Sequence, residues 1–87
     1  MNKVVMYCIN TCQYCDKAEK LLKKKGVSIT KINIEGNKPK IKEMIKKSKR
    51  NTVPQIFISD KHIGGFDELA TLEDRHKLDK ILGLPQV

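Results

Sequence analysis

The run KVVMYCINTCQYC, residues 3–15, decides how the rest of the chain is read. Its first part, Lys3 to Tyr7, is short, apolar and rich in β-formers, and predicts a strand buried on both faces. Its end carries Cys12 and Cys15, three residues apart, where a helical pattern begins. Cys15, Ala18, Leu21 and Leu22 make an inward stripe, while Lys17, Lys20, Lys23 and Lys24 face water. The predicted helix spans Cys12 to Lys25, and Gly26 ends it behind lysines that suit the negative end of the helix dipole. The connection, Cys8 to Thr11, reads as a loop with Thr11 or Cys12 as the helix-entry residue.

Working outward, Ile29 to Ile34 predicts a second strand and Glu35-Gly36-Asn37 a turn. Pro39 suits the first turn of a second helix, whose apolar side is Ile41, Met44 and Ile45 and which ends near Arg50. After a break at Thr52-Val53-Pro54, Gln55 to Ser59 is a third strand. Asp60-Lys61 is read as a hairpin turn, His62-Ile63 as the return strand and Gly64-Gly65 as a second break. Asp67 is the expected cap of a third helix with Leu69 and Leu72 inside. Leu78, Ile81 and Leu82 continue or restart it until Gly83 and Pro85. The order β-α-β-α-β-β-α predicts an α/β fold, a four-stranded mixed sheet flanked by three or more helices.

Eighty-seven residues make a single domain, residues 1–87. An apolar fraction of 39% beside a charged fraction of 32% suits a soluble globular chain. No apolar run approaches the ~20 residues of a membrane span, or the length of a secretory signal core. The protein is therefore expected to be cytoplasmic. The net charge of +8 is concentrated in Lys38, Lys40, Lys42, Lys46, Lys47, Lys49 and Arg50, against Glu43 alone. No aromatic residues interleave these charges for base stacking, so the run reads as a solvated helix face and no specific nucleic-acid partner is expected.

The three cysteines, Cys8, Cys12 and Cys15, lie within eight residues. A disulfide scaffold would spread them along the chain, so this cluster points to redox or metal chemistry in a reducing compartment. Zinc needs four ligands, and only Cys8 and His62 remain to complete a set, so no metal is expected. Thiol–disulfide exchange needs a thiolate, and the free N–H groups at a helix N-terminus favour negative charge. Cys12 is placed there, and Lys17 one turn on can add positive potential. Cys15, one helical turn away, can face Cys12 and close a small ring, but it lies deeper in the helix. That asymmetry makes Cys12 the attacking and Cys15 the resolving thiol. Cys8 reads as a structural thiol at a strand end.

Two further segments can serve the same chemistry. Pro54 lacks an N–H and opens a strand, leaving Val53 with a backbone edge that can pair with a bound peptide. Gly64-Gly65-Phe66-Asp67 is either a plain loop with a cap or a helix N-terminus that holds a carboxylate, with Asp67 taking an amine.

Cys12-Gln13-Tyr14-Cys15, Thr52-Val53-Pro54-Gln55-Ile56-Phe57-Ile58 and Ile63-Gly64-Gly65-Phe66-Asp67-Glu68-Leu69, in that order, resemble the glutaredoxins. The similarity, to the bacterial dithiol type, runs from Val4 to about Leu82. The resemblance implies a thioredoxin-like fold and a glutathione-dependent thiol–disulfide oxidoreductase that reduces glutathione mixed disulfides and some protein disulfides through Cys12, with Cys15 as the resolving thiol. It implies that Tyr14 flanks glutathione, that Val53 pairs with its cysteinyl backbone beside a cis Pro54 and near Thr52, and that Gly65, Phe66 and Asp67 hold the γ-glutamyl end. Glutathione would be the electron donor, sustained by glutathione reductase. Glutathionylated and disulfide-containing proteins would be the substrates of a monomeric protein. An alternative within the family is a glutathione-ligated iron–sulfur cluster carrier. Many dithiol members have Pro at the position of Gln13 and Lys at that of Ile9. Ile9 cannot meet the glycine carboxylate of glutathione, which leaves that contact to Lys17 or another lysine.

Overall fold

A computed structural model describes residues 2–85. The elements are β1 (Val4–Cys8), α1 (Gln13–Lys24), β2 (Ile29–Asn33), α2 (Lys38–Ser48), β3 (Gln55–Ile58), β4 (Lys61–Gly64), α3 (Phe66–Asp74) and α4 (Leu78–Leu82). The strands form one mixed sheet in the order β2-β1-β3-β4. β1 and β2 run parallel, from Val4 opposite Ile29 to Cys8 opposite Asn33, as a crossover helix requires. β3 runs antiparallel to β1, with Val4 opposite Ile58 and Tyr7 opposite Gln55, and β4 runs antiparallel to β3.

Strand alternation sorts the core into two layers. Val4, Met6 and Cys8 of β1 point with Ile56 and Ile58 toward Ala18 and Leu22 of α1, Leu69 of α3, and Leu78 and Leu82 of α4. Tyr7 and Phe57 point the other way, toward Met44 of α2 and Ile34. Thus β1 is covered on both faces, which is why it reads as an unbroken apolar run. Burying each of these large aliphatic side chains contributes about 1.5–3 kcal/mol. The Tyr7 hydroxyl donates to Glu43, the one carboxylate of α2, which Lys40 also meets at 3.2 Å. Lys25, just past α1, bridges Glu73 and Asp79 at 2.8 Å each and ties α1 to α3 and α4.

Several boundaries depart from the sequence reading: β2 ends at Asn33, α2 at Ser48 and β3 at Ile58, each one or two residues early. The first strand is displaced by one residue and includes Cys8. Of the two helix-entry residues left open for α1, Thr11 and Cys12, the helix takes Cys12, whose sulfur caps it. The hairpin turn is Ser59-Asp60, both at positive φ (51° and 65°), and Lys61 already belongs to β4. A tight hairpin needs two left-handed residues in succession, and Asp at one of them is tolerated. Finally, the N-cap of α3 is Gly65, and Asp67 lies inside its first turn. The last helix restarts as α4 after His76 at φ 57°. Among the described residues no helix is long and apolar enough to cross a membrane.

Candidate active site

Cys12 has extended backbone (φ −141°, ψ 111°), as an N-cap residue should, and its carbonyl accepts the first helical bond from Asp16 N–H at 3.1 Å. Its sulfur accepts the backbone N–H of Cys15 at 3.2 Å. One of the otherwise unpaired donors of the helix end is therefore aimed at the sulfur. Cys12 is half-buried, whereas Cys15 is only 4% exposed. Burial pushes the Cys15 thiol up to about 12, and its hydrogen bond to Cys12 adds to this; a backbone hydrogen bond with Ile9 opposes it. All three cysteines are free thiols. Cys8 is buried, its thiol reaches Ile32 O at 3.9 Å, and burial raises its pKa.

Tyr14, over half exposed, stands beside Phe66 with ring centroids 6.3 Å apart. The Lys17 ammonium lies 5.2 Å from the centre of the Tyr14 ring, a cation–π contact. The Val53–Pro54 peptide bond is cis. Val53 is half-buried and touches both core layers. The exposed Thr52 accepts two hydrogen bonds from the Gln55 side chain, at its carbonyl (3.0 Å) and its hydroxyl (3.2 Å). Gln55 is itself buried, and its other side-chain end meets His62 Nε2 at 2.8 Å.

The turn into α3 is set by Glu68. Its Oε1 accepts the Gly65 N–H at 2.6 Å and the Arg50 guanidinium at 2.9 Å. These two contacts, the Gly65 N–H foremost, hold the Glu68 carboxyl below the usual carboxylate range. Gly64 makes room for it: φ is +123°, and a Cβ there would clash with the Glu68 carboxylate.

Tyr14, Thr52, Val53, Pro54, Gly65, Phe66 and Asp67 line one cleft of about 180 Å³. These seven residues come from three separate segments of the chain, and all were expected to share a site. Three more lining residues, Arg50, Gln55 and Glu68, were not anticipated. Arg50 read as the end of a lysine-rich helix, and Gln55 as an ordinary strand residue. Glu68 lies three residues after its cap, the spacing of a capping box, but Gly65 in place of Ser or Thr hides that pattern. Ile9 packs against the Tyr7 and Met44 layer, while the cation on the cleft is Arg50. His62, once a zinc candidate, stacks on Phe57 with centroids 5.0 Å apart. Among the described residues no three His, Cys, Asp or Glu side chains gather as a metal site.

A thiol capping the first helix of a four-stranded mixed sheet, with a second thiol buried one turn on, defines a thiol–disulfide oxidoreductase of the thioredoxin-like fold. The glutaredoxin family model matches residues 4–63. Over 82 residues the chain is 51% identical to glutaredoxin 3 of Escherichia coli K12, covering 94% of this chain and 99% of that one. It is 43% identical to a Pseudomonas aeruginosa glutaredoxin, covering 94% and 98% of the two chains. This chain belongs to the glutaredoxin family. Among solved structures, a Brucella melitensis glutaredoxin matches with a TM-score of 0.84 at 40% identity, covering 100% of this chain and 95% of that one. A buckwheat glutaredoxin–glutathione complex matches with a TM-score of 0.87 at 27% identity, covering 94% and 77%.

Proposed function

We propose that this chain is a cytoplasmic, monomeric, single-domain glutaredoxin that reduces glutathione mixed disulfides and some protein disulfides. The observation that carries the reading is the Cys12 sulfur at the α1 N-terminus, hydrogen-bonded to Cys15 N–H, with Tyr14 of the same turn lining the cleft. Cys12, the more accessible thiol of the pair and the one at which the helix end aims a backbone N–H, is the nucleophile.

In the first route the Cys12 thiolate attacks the glutathione sulfur of a mixed disulfide. The substrate thiolate leaves and takes a proton, and Cys12 becomes glutathionylated. A second glutathione thiolate attacks the glutathione sulfur on Cys12, giving glutathione disulfide and restoring Cys12. Glutathione reductase returns that disulfide to glutathione. In the second route Cys12 attacks a protein disulfide. Cys15 then loses its proton and attacks the Cys12 sulfur, which expels the reduced protein and closes the Cys12–Cys15 disulfide. Two glutathiones reopen it. Cys15, buried and held protonated, idles in the first route.

The cleft residues then take the roles their positions suit. Tyr14 and Phe66 flank glutathione, with Lys17 steadying Tyr14 and adding positive potential. Val53, beside Pro54 and near Thr52, offers backbone groups to the cysteinyl unit. Gly65, Phe66 and Asp67 hold the γ-glutamyl end, Asp67 through the ammonium. Arg50 takes the glycine carboxylate that Ile9 cannot reach.

The test is turnover of a small glutathione mixed disulfide with glutathione, glutathione reductase and NADPH. Cys12→Ser should abolish it and Cys15→Ser should retain it, while both should abolish reduction of a protein disulfide. Equal loss of the first activity in both variants contradicts these roles.

A further inference from the structure

Two hollows meet at the N-terminus of α3. Asp67 and Glu68 line the cleft, and they also line one end of a wider trough of about 440 Å³ between β4 and the α3–α4 corner. The trough floor is apolar. Ile63, Leu72 and Ile81 rest on the α1-side core, and each is only half-buried. The other end of the trough is cationic, with Lys61, Arg75 and Lys77. All three are exposed, and none makes an ion pair with any described residue.

The topology fixes the direction. β4 ends at Gly64 and α3 begins at Phe66, so Lys61 and Arg75 both lie at the ends of their elements remote from that turn. A nine-residue helix spans about 13 Å, so the cations stand roughly that far beyond Asp67. β4 is an outer strand of the sheet, which leaves one of its backbone edges without a strand partner. A tripeptide whose γ-glutamyl group ends at Asp67 reaches only the near end of the trough. A protein chain in the same cleft does not stop there.

We propose that the trough docks the polypeptide on the amino-terminal side of a substrate's reactive cysteine, the side that the γ-glutamyl group occupies in glutathione. It fits an extended segment with an apolar residue over Ile63, Leu72 and Ile81 and acidic residues beyond it, against Lys61, Arg75 and Lys77. The inference rests on the cleft being the glutathione site, and it names what distinguishes one protein disulfide from another.

The experiment uses the full chain with glutathione, glutathione reductase and NADPH. The probes are disulfide-bridged peptides carrying a leucine and a pair of glutamates before the cysteine, with spacers of increasing length. Matched peptides carry lysines for the glutamates. At the best spacer the acidic peptide should be turned over with a kcat/KM about fivefold higher, the scale of two exposed ion pairs. Arg75→Glu combined with Lys77→Glu should abolish or reverse that preference, while turnover of a small glutathione mixed disulfide stays unchanged. Equal turnover of the two peptides at every spacer, or a preference that survives the double variant, overturns the proposal. Adding the acidic peptide with serines for cysteines should shift the NMR signals of Ile63, Leu72 and Ile81; shifts confined to the cleft also overturn it. A wild-type protein that fails on the small mixed disulfide overturns the glutathione reading instead.

Discussion

The Cys12 sulfur accepts the backbone N–H of Cys15 while the Cys15 thiol is itself shut inside the core, so one residue serves the other through its backbone and waits with its side chain. The two thiols should therefore differ sharply in reactivity. With reduced protein at neutral pH, iodoacetamide should label Cys12 and leave Cys15 and Cys8 unmodified, as read by peptide mass mapping. Labelling of Cys15 should rise by about tenfold per pH unit toward its value of about 12, provided the fold persists. Equal labelling of Cys12 and Cys15 at neutral pH contradicts the assigned roles.

Arg50 is the cation on the cleft, and it is held there by Glu68. Arg50→Gln should raise the KM for glutathione several-fold, with kcat close to wild type, because a contact made equally in ground and transition states is lost. Steady-state kinetics at varied glutathione concentration separates this from a structural defect, which would lower kcat as well.

Gly64 should not tolerate alanine. The added Cβ clashes with the Glu68 carboxylate, and φ is +123°, a region that side chains avoid. Gly64→Ala should destabilise the fold by about 2 kcal/mol in urea unfolding and raise the glutathione KM by displacing Glu68. A variant of wild-type stability would show that Glu68 moves aside at no cost.

Acid should loosen the same corner. The Glu68 carboxyl lies below its ordinary value of 4.5 in the folded protein, so its contribution is complete above that value and is lost as the pH falls through the lower folded value. Glu68→Ala should lower stability by about 1 kcal/mol at neutral pH, the scale of a helix cap, and flatten the decline below pH 4.5. Thermal melts from neutral to acid pH check both. Parallel curves for the two proteins would remove Glu68 from the account.

Much of this was legible because the informative residues sit at element boundaries. Cys12, Thr52 to Pro54 and Gly65 to Asp67 each lie where a strand or loop meets a helix or strand, and the β-α-β-α-β-β-α order alone brings those boundaries to one end of the sheet. Less legible were features set by contacts between distant segments. Arg50 belongs to the cleft only because Glu68, eighteen residues later, holds it there. The cap of α3 passed to Gly65 because the Glu68 carboxylate reaches back to it, where the sequence favoured Asp67. The cis form of the Val53–Pro54 bond came from the family resemblance and not from the residues themselves, since the two forms of an X-Pro bond differ by only about 0.5–1 kcal/mol. The hairpin turn slipped by one position because Ser59, a residue of low left-handed preference, takes one of its two left-handed places.

The bond from Tyr7 to Glu43 reaches beyond the core it seals. It draws the one carboxylate of α2 toward the sheet, and Lys38, Lys42 and Lys46 along that helix make no ion pair among the described residues. Across the sheet, α3 carries Asp67, Glu68, Glu73 and Asp74 and no cation. Charge is thus divided unevenly between the two sides of the sheet, and small anions from solution gather on the α2 side.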